Sequence, residues 1–166
     1  DELIACPGCY PTSILIPVLP LIKSGVIDDV SLVINSYSGV SGAGREKADL
    51  LLKENQDSLT AYGLPKHRHV SEIKEQLEKA ACKDVNVQFC PHLAPFPRGI
   101  HTTIVVPTKK DIDDVYTSWE NNFIEAPFVK ILPSGTFPKT KDAIKTNNIE
   151  FSAVIDPDSK NLIITS

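Results

Sequence analysis

The 166-residue chain is 42% hydrophobic and 23% charged, the balance of an ordinary soluble domain, and its length supports one domain with a real core. Seventeen basic residues against 21 acidic ones leave a net charge of −4 with the charges scattered, so no basic field is available for a nucleic-acid backbone and no nucleic-acid partner is expected. The most apolar stretch, residues 14–22, is interrupted by Pro17 and Pro20 and falls short of the ~20 residues that span a bilayer, so no membrane partner is expected either.

From the N-terminus, Ile14, Leu15, Val18, Leu19 and Ile22 fall at helical spacing over residues 11–24, with Gly25 as the stop. Residues 30–37 are a continuous apolar and β-branched run that predicts a buried strand. The Gly/Ser stretch 38–44 predicts a loop. Residues 45–59, with Leu50, Leu51 and Leu52 in a charged pattern, predict a solvated amphipathic helix. A loop through Tyr62-Gly63-Leu64-Pro65 leads to a helix over 71–81 that buries Ile73 and Leu77. Strands follow at 85–89 and 100–106, then a helix with an acidic start at 111–123 and a short strand at 128–132. A strand pair at 148–155 and 162–165 is joined by the turn sequence Asp156-Pro157-Asp158-Ser159. Several strands lie too close together for helical crossovers, so the expected fold is α+β: a mixed, largely antiparallel sheet covered by helices.

The first chemical feature is Cys6-Pro7-Gly8-Cys9-Tyr10-Pro11-Thr12. Cys9 lies just before a helix that opens with Pro, facing unpaired backbone N–H groups and the positive end of the helix dipole, surroundings that favour a thiolate nucleophile. Gly8 permits a sharp turn and the close approach of a substrate; the competing reading is an inert buried thiol. Cys6 and Cys9 also form a C-x-x-C pair, the spacing of thiol–disulfide exchange, and with Cys90 and His92 they would complete a Cys₃His zinc site.

The stretch 38–45 has Gly39 and Gly44 where a P-loop has glycines, but Arg45 and Glu46 replace its Lys and its magnesium ligand, and the spacing fails G-x-G-x-x-G as well. What remains is a plain turn or a loop able to offer N–H groups to an anion. His67-Arg68-His69 puts two imidazoles on one side of an extended segment. One of them can serve as an acid/base near neutral pH, its proton affinity held down by the adjacent cation; the plain alternative is a pair of surface histidines. Arg98 follows the proline-rich stretch 91–97 and is a guanidinium on a rigid turn, able to clamp a carboxylate or phosphate.

Together these segments resemble the N-acetyl-γ-glutamyl-phosphate reductase family, relatives of aspartate-semialdehyde dehydrogenase and glyceraldehyde-3-phosphate dehydrogenase. The resemblance is carried by residues 7–12, by Asn35 through Arg45, by Ala61-Tyr62, His67-Arg68-His69 and Glu72-Ile73, and by Pro91-His92-Leu93 through Arg98-Gly99-Ile100. From about residue 109 onward the match is loose. It implies that residues 1–166 are a catalytic, substrate-binding and dimerisation domain, resembling the glyceraldehyde-3-phosphate dehydrogenase-like C-terminal domain, with an N-terminal Rossmann NADP-binding domain outside this chain.

The resemblance further implies that Cys9 attacks a small acyl phosphate and that NADPH reduces the resulting thioester to N-acetylglutamate 5-semialdehyde, a step of arginine biosynthesis. His69 would handle the oxygen proton, with His67 in reserve or on the substrate, and Ser38, Gly39, Tyr62 and Arg98 would surround the substrate. No metal is implied, and a homo-oligomer (dimer or tetramer) is. The same motifs serve acetylaminoadipyl and carrier-protein-linked substrates. Cys6 stands where the family commonly has Asn, Ser71 where it often has Pro, and Cys90 where Thr is usual. The chain opens at Asp1 and contains no Met, so it is read as a piece of a longer protein, expected to fold alone but to be inactive. Its four scattered cysteines point to a reducing, cytoplasmic setting. The rivals are a zinc-stabilised binding module and a thiol–disulfide oxidoreductase.

Overall fold

The computed structural model describes residues 3–166. Helix α1 (Cys9–Lys23) buries Ile14, Leu15, Val18, Leu21 and Ile22, and Gly25 follows it at φ +73, a conformation open to glycine at no steric cost. Strand β1 (Ser31–Ser38) alternates in burial: Leu32, Ile34, Ser36 and Ser38 point into the core, while Val33 is 40% exposed. The expectation of a strand buried on both faces is thereby corrected, because helices cover one face alone. The Gly/Ser stretch forms a short 3₁₀ turn at Val40–Ala43. Helix α2 (Arg45–Glu54) stops five residues short of the expected end, where the Asn55 side-chain amide donates to Leu51 O at 2.8 Å.

Strand β2 (Thr60–Ala61) has no counterpart in the expected pattern; two exposed residues are too few to show a period. Helix α3 (His69–Ala81) begins two residues earlier than the spacing predicts and buries Ile73 and Leu77 as expected. Strand β3 (Asn86–Leu93) runs on through Pro91, and β4 (Ile100–Pro107) follows. Helix α4 (Ile112–Phe123) is capped by Asp111, whose carboxylate accepts from Asp114 N at 3.1 Å. Strand β5 (Val129–Ile131), the short helix α5 (Thr140–Ala143), β6 (Ile149–Ile155) and β7 (Asn161–Thr165) complete the chain. In the β6–β7 turn, the Asp156 carboxylate accepts from the Ser159 amide at 3.1 Å and from the Ser159 hydroxyl.

Among the described residues seven strands run in the order β2-β3-β1-β4-β7-β6-β5. β1 and β3, and β5 and β6, pair in parallel; the other neighbours are antiparallel. The sheet is therefore mixed and largely antiparallel, as expected. Ile34, Ile104 and Ile164 stand abreast on the inner face and are fully buried under the helices. α1 packs against both α3 and α4 and against β4, and the indole N–H of the fully buried Trp119 on α4 donates to Pro17 O of α1 at 2.7 Å. A buried hydroxyl chain then fixes α1 over the sheet: Thr102 Oγ1 lies 2.9 Å from Ser13 Oγ and 2.8 Å from Ser36 Oγ, joining α1, β1 and β4.

Candidate active site

Gly8 is the N-cap residue of α1, so Cys9 occupies the first helical position with its thiol exposed. Thr12 closes the turn with its amide and hydroxyl, both donating to Gly8 O at 2.9 Å. An ideal Cβ on Gly8 would lie 2.7 Å from His69 Nε2 and 3.1 Å from Glu72 Oε2. Only glycine lets the first turn of α3 come this close to the residue before the thiol.

The two imidazoles are not on an extended segment. His69 opens α3, its amide donates to His67 Nδ1 at 3.2 Å, and the rings meet edge to face with centroids 5.0 Å apart. Both hold their protons less tightly than an ordinary imidazole, and burial is the largest cause for each. For His67 the neighbouring His69 and then Arg68 add to it; for His69 Arg68 adds to it and Glu72 opposes it. The adjacent cation acts in the expected direction but is secondary to burial.

Tyr10, which the sequence reading passed over, organises this side of the site. Its ring is buried and packs edge to face on His67, His69 and Phe89, and its hydroxyl lies 2.8 Å from that of Tyr62. Burial, then the Tyr62 hydroxyl, push its phenol well above the usual range. Tyr62 is itself pinned by its amide, which donates to Pro91 O at 3.1 Å directly after β2.

Two cavities meet at the thiol, and Cys9, Ser38 and Gly42 line both. One, of about 490 Å³, adds Gly39, Tyr62, His67 and His69. The other, of about 440 Å³, adds Arg98 and a wall from α5 to β6 that includes Lys139, Thr140 and Asn148. The seven residues expected at the site thus divide between two adjoining cavities: Arg98 lines one, Gly39, Tyr62, His67 and His69 the other, and Cys9 and Ser38 both. Gly39 donates its amide to Gly99 O at 2.9 Å, and a Cβ there would fall 2.7 Å from Phe96 O, so the backbones of the two loops can touch only through a glycine. The buried Ser38 hydroxyl donates to Gly39 O at 2.9 Å. Arg98 is exposed at the rim. The wall from α5 to β6 lies in the part of the chain with the loosest motif pattern, and no spacing rule marked it.

The proposed zinc set does not assemble. Among the described residues no three His, Cys, Asp or Glu side chains are grouped to hold a metal ion. Cys90 and His92 lie on β3, where the His92 ring stacks on Tyr37 at 4.9 Å. Cys6 lies ahead of α1 and Cys9 is its first residue, and both thiols are exposed and free.

A largely antiparallel mixed sheet carrying its helices on one face, with a cysteine at the head of the first helix, is a fold this chain shares with solved aspartate semialdehyde dehydrogenases. Aspartate semialdehyde dehydrogenase II from Vibrio cholerae superposes with a TM-score of 0.74 at 15% identity, over 98% of this chain and 56% of that one. The Candida albicans aspartate semialdehyde dehydrogenase with NADP gives 0.66 at 13% identity, over 96% and 51%. The chain belongs to the family described as semialdehyde dehydrogenase, dimerisation domain, which matches residues 9–166. It is 44% identical over 171 residues to the N-acetyl-gamma-glutamyl-phosphate reductase of Gloeothece citriformis (strain PCC 7424), covering 100% of this chain and 48% of that protein. It is 42% identical over 167 residues to the same-named protein of Saccharophagus degradans, covering 98% and 48%. The chain thus spans about half the length of the curated relatives it matches.

Proposed function

We propose that this chain is the catalytic and dimerisation domain of an NADPH-dependent reductase that converts N-acetyl-γ-glutamyl phosphate to N-acetylglutamate 5-semialdehyde and phosphate, in arginine biosynthesis. The observation that carries the reading is Cys9 at the first position of α1, shared by two cavities and bordered by His69. The identity to named reductases over the whole of this chain supports the choice of substrate.

Cys9 attacks the acyl phosphate carbonyl, the C–O bond to phosphate breaks, and a thioester forms. NADPH, when bound, supplies the hydride for its reduction. His69 delivers a proton to the carbonyl oxygen as the hydride arrives and takes it back as the C–S bond breaks, releasing aldehyde and thiolate. Ser38, Gly39, Tyr62 and His67 line the substrate's side of the thiol, and the Arg98 guanidinium is suited to an anionic group, phosphate or carboxylate.

The two cavities adjoin at Cys9 and leave room beside it for an acyl chain. The chain holds no G-x-G-x-x-G turn for the dinucleotide phosphates, so the reading assigns these to a Rossmann domain elsewhere in the parent protein, whose curated relatives are about twice as long. Val33, Tyr37, Val105 and Ile163 share the sheet face left free of helices with Asn35, His101 and Thr103, a mixed apolar and polar surface suited to a second copy of the chain in a homodimer or tetramer. Four unpaired thiols suit a reducing, cytoplasmic setting.

The test runs the reverse reaction, with semialdehyde, phosphate and NADP, and follows absorbance from NADPH. The full-length parent turns over steadily and the 166-residue chain alone does not. Steady turnover by the chain alone would overturn the division between domains, and a full-length protein inert in both directions would overturn the activity.

A further inference from the structure

We propose that Glu72 is a positioning residue of this site: one carboxylate oxygen fixes the peptide ahead of Cys9 while the other stands against the same glycine as the His69 imidazole, so a single side chain sets the nucleophile and the acid/base in register. The inference rests on the roles of Cys9 and His69 proposed above.

Gly8 N donates to Glu72 Oε1 at 3.0 Å, a partly buried bond between residues 64 apart in sequence. Gly8 is an N-cap residue with no side chain of its own to finish the helix start, and α3 supplies the missing anchor from outside. A carboxylate here also lies at the positive end of α1. The second oxygen, Oε2, and His69 Nε2 crowd the same edge of Gly8. Glu72 and His69 are three residues apart in the first turn of α3, the spacing that puts two side chains on one helix face.

His69 has little else to orient it. Its Nδ1 is buried without a hydrogen-bond partner, and its ring is otherwise held by packing on Tyr10 and His67. The charged and titratable groups around it are Arg68 and His67 just before it, Tyr10 and Cys9 from α1, Tyr62 beyond His67, and Glu72. Of these, Glu72 supplies the negative charge that favours the imidazolium, against burial and Arg68. A side chain placed in this way steadies the proton on His69 during the step in which it is used.

The experiment uses the full-length parent. Glu72→Gln keeps an oxygen that accepts from Gly8 N and removes the charge; Glu72→Ala removes both. For Glu72→Gln the limb of the kcat–pH profile due to His69 moves to lower pH by about one unit, with KM within about twofold. Glu72→Ala adds slower alkylation of Cys9 by iodoacetamide, because the peptide ahead of it is no longer held. A wild-type profile and rate in Glu72→Gln, with loss confined to Glu72→Ala, would overturn the proposal and leave a structural hydrogen bond alone. His69→Asn is run alongside. If it retains the wild-type rate and profile, the acid/base reading itself fails; if it is slow while Glu72→Gln shifts nothing, only the inference about Glu72 fails.

Discussion

Tyr10 and Tyr62 meet hydroxyl to hydroxyl at 2.8 Å, and this contact joins the first turn of α1 to the segment that follows β2. Tyr10 is 2% exposed and Tyr62 38% exposed, so one end of the pair is locked in the core and the other faces the cavity beside Cys9. Tyr62→Phe removes one partner of a buried hydroxyl and one polar contact for substrate. Each is worth about 0.5–1.5 kcal/mol, so KM rises roughly 2–10-fold with kcat much less affected. Steady-state kinetics with the full-length parent give the answer; a collapse of kcat at unchanged KM would mean that the hydroxyl acts in the chemistry instead.

The hydroxyl chain Ser13–Thr102–Ser36 sets the height of α1 over the sheet. Thr102→Val keeps the shape and leaves the buried Ser36 hydroxyl without its partner, while Ser13 keeps its bond to Tyr10 O. Stability falls by about 1–3 kcal/mol, read as a lower urea midpoint at unchanged slope. A midpoint equal to the wild type would show that Ser13 and Ser36 re-pair without cost.

His67, His69 and His101 all hold protons less tightly than the ordinary imidazole value of 6.5, with burial the leading cause in each. Above that pH both folded and unfolded chains carry them neutral. As pH falls through it, the unfolded chain takes up protons that the folded chain resists, so stability is lost. The urea midpoint therefore drops between about pH 7.5 and about pH 5.5, and the drop shrinks in His101→Phe. A midpoint that holds or rises on acidification would contradict the assigned environments.

His69→Asn lowers kcat by about 10²–10⁴, the usual contribution of a positioned acid/base, while His67→Asn acts mainly on KM. The geometry gives the ranking: His69 Nε2 is the atom set against Gly8, one residue from the thiol, whereas His67 Nδ1 accepts from the His69 amide. Reversed effects would exchange the two roles, and wild-type rates in both variants would leave the loop purely structural.

The sequence carried most of the frame because its longer elements obey a single period: Ile73 and Leu77 on α3, or Ile14 and Val18 on α1, can be buried together only as helices. Cys9 and the His-Arg-His run stood out for another reason: taken singly each had a plain alternative, an inert thiol or a pair of surface histidines, and only the order of several motifs along the chain singled them out. What escaped depends on long-range contact. Thr60–Ala61 becomes a strand because Leu93 and His92 lie opposite it, and Glu72 matters because Gly8 N, 64 residues away, lands on its oxygen. Tyr10 gave no signal, since a buried ring beside a cysteine looks like any core aromatic until Tyr62 is seen touching it. The continuous run 30–37 misled for the same reason: the bareness of one sheet face is a property of topology, not of the strand.

The central claim is that Cys9 carries the acyl group. Rapid mixing of the full-length parent with N-acetyl-γ-glutamyl phosphate in the absence of NADPH, followed by acid quench and peptide mass spectrometry, tests it directly. The account predicts one acyl group on Cys9 for each phosphate released, and none in Cys9→Ser. Phosphate release with Cys9 unmodified, or an acyl group carried by Cys6 or another side chain, would contradict it.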